Sequence, residues 1–292
     1  MLRRLRKESA IPWITPAIFT LIVVAIIPTI FLFYLSLHNW ELGNPWNSRT
    51  FIGLKNFVDV FKDEQFINSL LVTFKYCIAV VIIEFLLGFS IANYMKGQNQ
   101  RIKFFILISL IIPLTMTPSV VGLIWRSYFN STAGIINFFV DIIFGTKINW
   151  FSKNNALLTT ILVDSWQWTS FVTIMLYSGL EALPQECFEA ASMDGASGWE
   201  KIKYITLPLL KPIILIALLL RIMDAFKMFD VIFVMTEGGP GNATELLSLH
   251  IYRIGFFHTG YIGRASAIAV ILLVIIIVFS QILIRKMSSN EK

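Results

Sequence analysis

Four charged residues recur at every third position of an otherwise apolar segment, namely Arg221, Asp224, Lys227 and Asp230. Residues at this spacing are neighbours on a helix, and because the signs alternate each side chain can pair with the next. An unpaired charge at the middle of a membrane costs about 2.5–3.5 kcal/mol on insertion scales. We therefore expect this face to meet other helices or an aqueous path. Asp224, Lys227 and Asp230 either line a substrate path or belong to a structural ion network.

A second polar group lies in another apolar segment, at about residues 156–180. It contains Asp164, Trp166, Gln167, Trp168 and Thr169. The rise of about 1.5 Å per helical residue puts this group at a depth similar to that of the four charges. Indole faces beside hydrogen-bonding groups suit a carbohydrate, which has apolar ring faces and many hydroxyls. Trp166 and Trp168 are therefore predicted substrate-path residues, with simple packing inside a helix bundle as the alternative.

The sequence gives no sign of catalysis. It has no phosphate-binding G-x-x-x-x-G-K-[ST] loop, no H-E-x-x-H and no G-x-S-x-G. Cys77 and Cys187 lack the spacing of metal ligands, and a disulfide between them is not expected. Glu84 is a lone carboxylate in an apolar run, and without a partner it does not indicate a proton relay. We expect a chain without catalytic residues, metal or cofactor of its own.

The composition is that of a membrane protein. The chain has 292 residues, of which 56% are hydrophobic and 14% charged, and its mean hydropathy is +0.72. A soluble domain of this size is far less apolar, so the bilayer is the solvent for most of the chain. The net charge of +6 is modest and indicates membrane topology rather than a nucleic-acid surface. The predicted fold is an all-α membrane protein forming one transmembrane domain over residues 1–292.

Six segments have the roughly 20 residues that a helix needs to cross a bilayer. They cover about residues 13–37, 69–95, 104–125, 156–180, 213–235 and 264–284. The first is too long to be the apolar core of a signal peptide. Pro113 and Pro118 lie in the third, which should be kinked or locally unwound.

Lysine and arginine residues are more numerous on one side of these segments, although the loops there are shorter. This side includes Arg3, Arg4, Arg6 and Lys7. By the positive-inside rule both termini and residues 181–212 are predicted to be cytoplasmic. The external loops then cover about residues 38–68, 126–155 and 236–263. A short amphipathic piece is expected near residues 54–61, and residues 135–144 have weak apolar character but are too short to be a span.

Residues 181–212 form the longest charged segment between two apolar runs. Pro184 fits the first position of a short helix, and Gly195 fits the left-handed position that ends it. Ser197 and Glu200 have the spacing of a capping box that starts a second helix. Prolines 208 and 212 should end that helix where the next span begins.

The same segment carries a specific resemblance. Glu189-Ala190-Ala191, followed after three residues by Gly195 and after nine more by Ile205-Thr206-Leu207-Pro208, resembles the EAA signature. That signature belongs to permease subunits of bacterial ATP-binding cassette importers. The run 226–230 (F-x-x-F-D), continued by 236–240 (T-x-G-G-P), is similar to the sugar-transporting branch, of the maltose and glycerol-3-phosphate type.

The resemblance implies a function and a set of partners. The chain would be a multi-pass subunit of a type I sugar importer in the bacterial cytoplasmic membrane. Its partners would be a second permease, identical or distinct, two ATPase subunits that bind ATP and Mg, an external solute-binding protein and the sugar itself. The residues expected to couple to the ATPase are Glu189, Ala190, Ala191, Asp194, Gly195, Ile205, Leu207 and Pro208.

A transporter driven by an ion gradient is the alternative class. In that case Glu84 or the charges at residues 221–230 would form the ion site, and the segment 181–212 would have no explanation. Neither class specifies the solute from the sequence alone.

Overall fold

The computed structural model describes residues 11–257 and 260–288, and the protein is mostly helical over this range. The basic residues Arg3, Arg4, Arg6 and Lys7, which contributed to the predicted orientation, lie outside it. The helices up to the middle of the chain are α1 (Ile11–Leu21), α2 (Ile27–Ser36), α3 (Lys55–Phe61), α4 (Glu64–Lys96), α5 (Gln100–Thr115), α6 (Pro118–Tyr128) and α7 (Ile135–Phe144). They continue with α8 (Ala156–Glu181), α9 (Gln185–Met193), α10 (Gly198–Lys201), α11 (Leu207–Phe226), α12 (Asp230–Met235), α13 (Leu247–Tyr252) and α14 (Ile262–Ser288).

Shorter elements connect these helices. Widened π-helical turns at Ile22–Ile26, Ile202–Thr206 and Arg253–Phe257 join α1 to α2, lead from α10 into α11, and follow α13. A 3-10 turn covers Trp46–Ser48. Two short strands, β1 (His38–Asn39) and β2 (Thr50–Phe51), pair antiparallel, with His38 opposite Phe51.

The chain divides into two compact units. The first comprises the described residues up to Asp63 together with Ile251–Ile271. Asn56 organises its loops, because its side-chain amide donates to the carbonyls of Ser36 and His38 at 2.8 and 2.9 Å. Gly263 is needed beside it, since a Cβ there would lie 2.0 Å from the His38 carbonyl oxygen.

The second unit comprises Glu64–His250 and the chain from Leu272. Its core is the packing of α4 along α8, with α11 against both. Gly88 permits the close approach of α4, because a Cβ there would lie 2.8 Å from Val172. Gly179 does the same for α11, where a Cβ would meet Leu210 at 2.6 Å. The large side chains outside this core are exposed and apolar, as a lipid environment requires.

The third predicted span is broken, as the prolines indicated. Helices α5 and α6 are bent by 100° across the two residues that separate them. The side-chain amide of Gln167 on α8 donates to the freed carbonyl of Met116 at 2.9 Å. A neighbouring helix therefore satisfies the backbone that Pro113 and Pro118 leave unpaired.

Replacing Gln167 with leucine should destabilise the protein by about 1–3 kcal/mol, because the half-buried Met116 carbonyl would lose its donor. Equilibrium unfolding of the purified chain in mixed micelles would measure the change. Gln98→Leu, at a half-buried amide between α4 and α5, is the control and should change stability by less than about 0.5 kcal/mol. Equal stability of the two variants would show that Gln167 does not support the break.

The fifth predicted span, residues 213–235, has the wrong bounds. The helix runs without interruption from Gly198 through the π-helical turn to Phe226, so prolines 208 and 212 do not end it. The widened turn at Ile202–Thr206 precedes Pro208 and accommodates its missing N–H. The helix then ends where Lys227 and Met228 donate to carbonyls only three residues back, and α12 begins separately at Asp230.

Over the described residues, four helical stretches are long and apolar enough to cross a membrane, or five if the bent pair counts as one span. They are Ile14–Ser36, Glu64–Lys96, Gly198–Phe226 and Ile262–Met287. The predicted span at 156–180 is the helix α8, which has 26 residues. It is long enough to cross a membrane but is not among the four stretches, because its composition is less apolar. Its many buried polar side chains face other helices and lower its hydropathy.

The segment predicted as an external loop at residues 236–263 is partly interior. Thr244, Leu246 and Leu247 are buried, and the Leu247 N–H donates to the Thr73 hydroxyl of α4 at 2.8 Å. His250 Nδ1 lies 2.7 Å from Glu245 Oε1, with both side chains buried. The G-G-P turn at residues 238–240 is fixed by Thr244, whose hydroxyl donates to the Gly239 carbonyl at 2.9 Å.

Candidate functional site

A buried ion cluster joins three helices at the centre of the second unit. Arg221 of α11 donates two hydrogen bonds to Glu84 of α4, from Nε to Oε2 at 2.6 Å and from Nη2 to Oε1 at 2.8 Å. The same Nη2 also contacts Asp164 of α8. All three side chains are fully buried. This geometry fixes α4, α8 and α11 at one level, because a fork-shaped guanidinium binds a carboxylate in only one orientation.

The cluster extends towards a more open side. Arg221 Nη1 lies 3.2 Å from Asp224 Oδ2, and the Asp224 side chain is 41% exposed. The guanidinium carbon also lies 5.1 Å from the Trp168 ring centroid. The Trp168 Nε1 is buried and makes no hydrogen bond to the described residues. An indole, a free donor and a carboxylate edge thus meet beside one cation.

The predicted chain of charge pairs exists only at its first step. Arg221 and Asp224 pair, but no ion pair within the described ranges joins Lys227 to either neighbouring aspartate. The reason is the helix end at Phe226, after which Lys227 and Asp230 no longer follow helical spacing. Both are exposed, and Asp230 accepts a hydrogen bond from the Ser119 hydroxyl at 3.4 Å.

Trp166 and Trp168 do not share a site. Trp166 is 40% exposed and stacks edge-on against Trp125 of α6, with ring centroids 5.2 Å apart. It lines a cavity of about 430 Å³ between α4, α5 and α8, together with Ser109, Thr169 and Ser170. The Thr169 hydroxyl is buried without a described partner. This cavity offers an aromatic face and hydroxyls. The two tryptophans that the sequence placed at one site therefore lie on two faces of α8, each beside its own polar groups.

The segment 181–212 is a helix, a glycine corner and a second helix, as predicted. Gly195 has φ +77°, and the backbone around it forms a Schellman motif. Ala196 N donates to Ala191 O at 2.9 Å, and Gly195 N donates to Ser192 O at 3.2 Å. Pro184 is the cap residue before α9 rather than its first residue, a shift of one position.

The capping box that starts the second helix is also present. Ser197 N donates to Glu200 Oε2 at 2.7 Å, and Glu200 N donates to Ser197 Oγ at 3.3 Å. Both hydrogen bonds are local and fix the start of the second helix. A Lys201 Nζ bond to Ser192 Oγ, 2.8 Å long, ties the second helix back to the first.

Most of the predicted coupling residues lie on the surface of this corner. Glu189, Ala190, Asp194, Gly195, Leu207 and Pro208 are exposed, whereas Ala191 and Ile205 are half-buried. Two large apolar side chains that were not predicted stand out between them. Met193 is 89% exposed and Trp199 is 67% exposed. Both residues belong to a charged loop, and both can be read in the sequence.

The Glu84–Arg221–Asp164 cluster is the main feature that the sequence reasoning missed. Glu84 was treated as a lone carboxylate, and Arg221 was assigned only to neighbours on its own helix. Opposite charges in separate apolar runs were the available signal, because each demands a partner inside a membrane. The sequence does not show how α4 and α11 align, and this alignment is what brings together Glu84 and Arg221, 137 positions apart.

Comparison with known proteins gives this geometry a context. Residues 84–288 match the model of the family described as the binding-protein-dependent transport system inner membrane component. The chain belongs to this family. The matched range begins at Glu84, and it contains the ion cluster and the whole of the segment 181–212.

Permeases of named transport systems are among the relatives. A probable ABC transporter permease protein of Sinorhizobium fredii is 36% identical over 97% of this chain and 91% of its own length. The trehalose/maltose transport system permease protein MalF of Thermococcus litoralis is 34% identical, over 93% of this chain and 91% of its own. Both alignments span nearly the whole permease, so the relationship is not confined to the segment 181–212.

A solved structure shares the fold. It is a chain of a bacterial ABC transporter involved in the import of the acidic polysaccharide alginate, with a TM-score of 0.83. The match covers 96% of this chain and 95% of that chain, at 20% sequence identity. At this identity the match establishes the permease fold alone.

Proposed function

We propose that this permease is the transmembrane subunit of an ATP-driven importer and forms the translocation path for a carbohydrate. It would lie in a bacterial cytoplasmic membrane with six spans. One of them would be α8, whose buried polar side chains lower its hydropathy. Its partners would be a second permease, two ATPase subunits that bind ATP and Mg, and an external solute-binding protein. The relatives named for trehalose and maltose transport support a carbohydrate as the solute.

The observation that carries this proposal is the exposed corner at residues 181–212. This helix pair exposes two large apolar side chains, Met193 and Trp199, which suit docking into a groove on another protein. The small residues Ala190 and Ala191 let a partner approach the first helix closely, and Glu189 offers a carboxylate to a basic group. Gly195 sets the angle between the helices. Transport couples to ATP only if the two ATPase states hold this corner differently.

Affinity purification from mild detergent tests the proposed assembly. We expect the tagged chain, expressed with its native genomic neighbours, to bring down a P-loop ATPase and a second permease that mass spectrometry identifies. Trp199→Ala with Met193→Ala should reduce the recovered ATPase about tenfold or more, since truncating two central apolar anchors costs more than 1.4 kcal/mol. Phe144→Ala, exposed on α7, is the matched apolar control. Undiminished recovery with the double variant would exclude this corner as the docking element.

The residues proposed for the substrate path are Asp224 at the open side of the cluster, Lys227 and Asp230 beyond the end of α11, and Trp168 beside Arg221. Trp166 and the cavity it lines form a second candidate wall. Asp224 has the strongest position, because its exposed carboxylate is held by a buried cation. Such a carboxylate is oriented before a solute arrives and can accept hydrogen bonds from sugar hydroxyls.

Asp230→Ala should lower carbohydrate uptake about tenfold or more, the loss of one hydrogen bond to a charged group, while ATP turnover by the complex is retained. Uptake of a labelled maltose and trehalose panel, read beside ATPase rate, separates the two effects. Asp141→Ala, an exposed aspartate on α7, is the matched control and should leave uptake unchanged. Trp166→Ala tests the second wall in the same assay. Unchanged uptake would assign the altered residue to packing or surface.

A further inference from the structure

A cleft lies behind the corner, where the loop helices meet the end of α4. Its volume is about 340 Å³, at the lower end of the range of about 300–1,000 Å³ for small-molecule sites. The lining side chains are Asn93, Lys96, Phe188, Lys201, Ile202 and Thr206. The cleft thus combines two ammonium groups and two neutral polar groups with two apolar walls.

The charges around the cleft are unbalanced. No carboxylate lines it among the described residues. Glu181 is the nearest acid to act on Lys96, but it is paired with Lys103 at 2.8 Å. Glu200 turns its carboxylate to Ser197 instead. Lys96 therefore rests its ammonium 3.6 Å from the Phe188 ring centroid, and Lys201 donates only to a serine hydroxyl.

The cleft also has a defined place along the spans. The candidate span Glu64–Lys96 ends at one of its lysines, and the candidate span Gly198–Phe226 begins at its other wall. The apolar segment of α4 ends at Met95, so this end of the span puts the cleft near the boundary between lipid and water. Basic pockets between helices at that boundary fit the headgroups of anionic lipids, whose acyl chains extend along the apolar side.

We propose that this cleft binds the headgroup phosphate of an anionic phospholipid between Lys96 and Lys201. The phosphate oxygens accept from both ammonium groups, and Asn93 and Thr206 supply neutral polar contacts. Phe188 and Ile202 face the glycerol backbone. A lipid bound there joins the end of α4 to both helices of the corner, so lipid composition would influence how firmly the corner is held.

Lipid titration of the purified full chain tests this site. Native mass spectrometry would count bound phosphatidylglycerol against phosphatidylcholine. We expect the Lys96→Gln, Lys201→Gln double variant to bind phosphatidylglycerol about 25-fold more weakly than the unaltered chain, about fivefold for each juxtamembrane lysine. The Lys96→Arg, Lys201→Arg variant keeps both charges and should bind within about threefold of the unaltered chain.

Three outcomes would overturn the proposal. The control Lys203→Gln, Lys286→Gln removes two exposed charges outside the cleft. An equal loss there would make the lipid preference a general charge effect. Displacement of phosphatidylglycerol by millimolar inorganic phosphate would identify a free phosphate as the ligand. No preference for phosphatidylglycerol over phosphatidylcholine in the unaltered chain would exclude an anionic lipid site.

Discussion

Replacing Arg221 with methionine is expected to destabilise the permease by about 3–5 kcal/mol, the usual result of removing one partner from a buried ion pair. Arg221 is fully buried and is the cation that holds Glu84 and Asp164 inside the helix core. Without it, two buried carboxylates would face each other uncompensated, and α4, α8 and α11 would separate. Equilibrium unfolding in mixed micelles, or the loss of folded chain on heating in detergent, would measure the change.

A combined variant distinguishes lost charge balance from lost packing. Adding Glu84→Gln and Asp164→Asn to Arg221→Met removes the stranded charges at nearly constant volume, and most of the lost stability should return. This strong non-additivity is the signature of one coupled cluster. A stability loss below about 1 kcal/mol for Arg221→Met alone would mean that the cluster does not hold the core together.

Replacing Gly195 with proline is expected to abolish transport while leaving insertion and folding of the membrane core intact. Gly195 adopts φ +77°, which the proline ring forbids, and its N–H donates to Ser192. The forced change costs about 3 kcal/mol or more at the corner, so uptake and ATPase recovery should each fall at least tenfold. Uptake in cells and co-purification of the ATPase are the two readouts.

Gly198→Pro provides the matched control three residues away. Gly198 is the first residue of α10, where proline is well tolerated, and Ser197 before it is already extended. Its position faces open space, as Gly195 does. We expect uptake within about twofold of the unaltered permease. Normal uptake by Gly195→Pro, or equal loss of uptake by both variants, would show that transport does not depend on the angle set by Gly195.

Features fixed by local chemistry could be predicted from the sequence. The capping box of Ser197 and Glu200 and the left-handed position of Gly195 depend on residues within one helical turn. The break between α5 and α6 follows from the prolines at its two sides, and the amphipathic piece predicted near residues 54–61 is the helix Lys55–Phe61. The six-span count with cytoplasmic termini stays a prediction.

Features that depend on tertiary register could not be predicted. The end of α11 at Phe226 has no glycine or proline to signal it, and it arises where the chain turns back to pack α12 against α6. That turn removed Lys227 and Asp230 from the predicted ion ladder. The meeting of Glu84 with Arg221 needs α4 and α11 aligned in depth, which no local pattern encodes. By contrast, the separation of Trp166 and Trp168 to different faces of α8 follows from helical periodicity, because residues two positions apart lie about 200° apart around a helix.

The central claim is that ATP drives transport. The competing explanation is that an ion gradient supplies the energy. Arg221 already occupies the carboxylates that an ion would need at Glu84 and Asp164. Our proposal therefore keeps ATP as the energy source, with the corner at 181–212 as the transmitting element.

Solute uptake into proteoliposomes that hold the co-purified complex and its solute-binding protein tests that claim most directly. We predict that uptake of labelled carbohydrate requires ATP and Mg on the ATPase side and persists when proton and sodium gradients are collapsed. Uptake by the permease alone, driven by either gradient without ATP, would contradict the account and assign the chain to the ion-driven class.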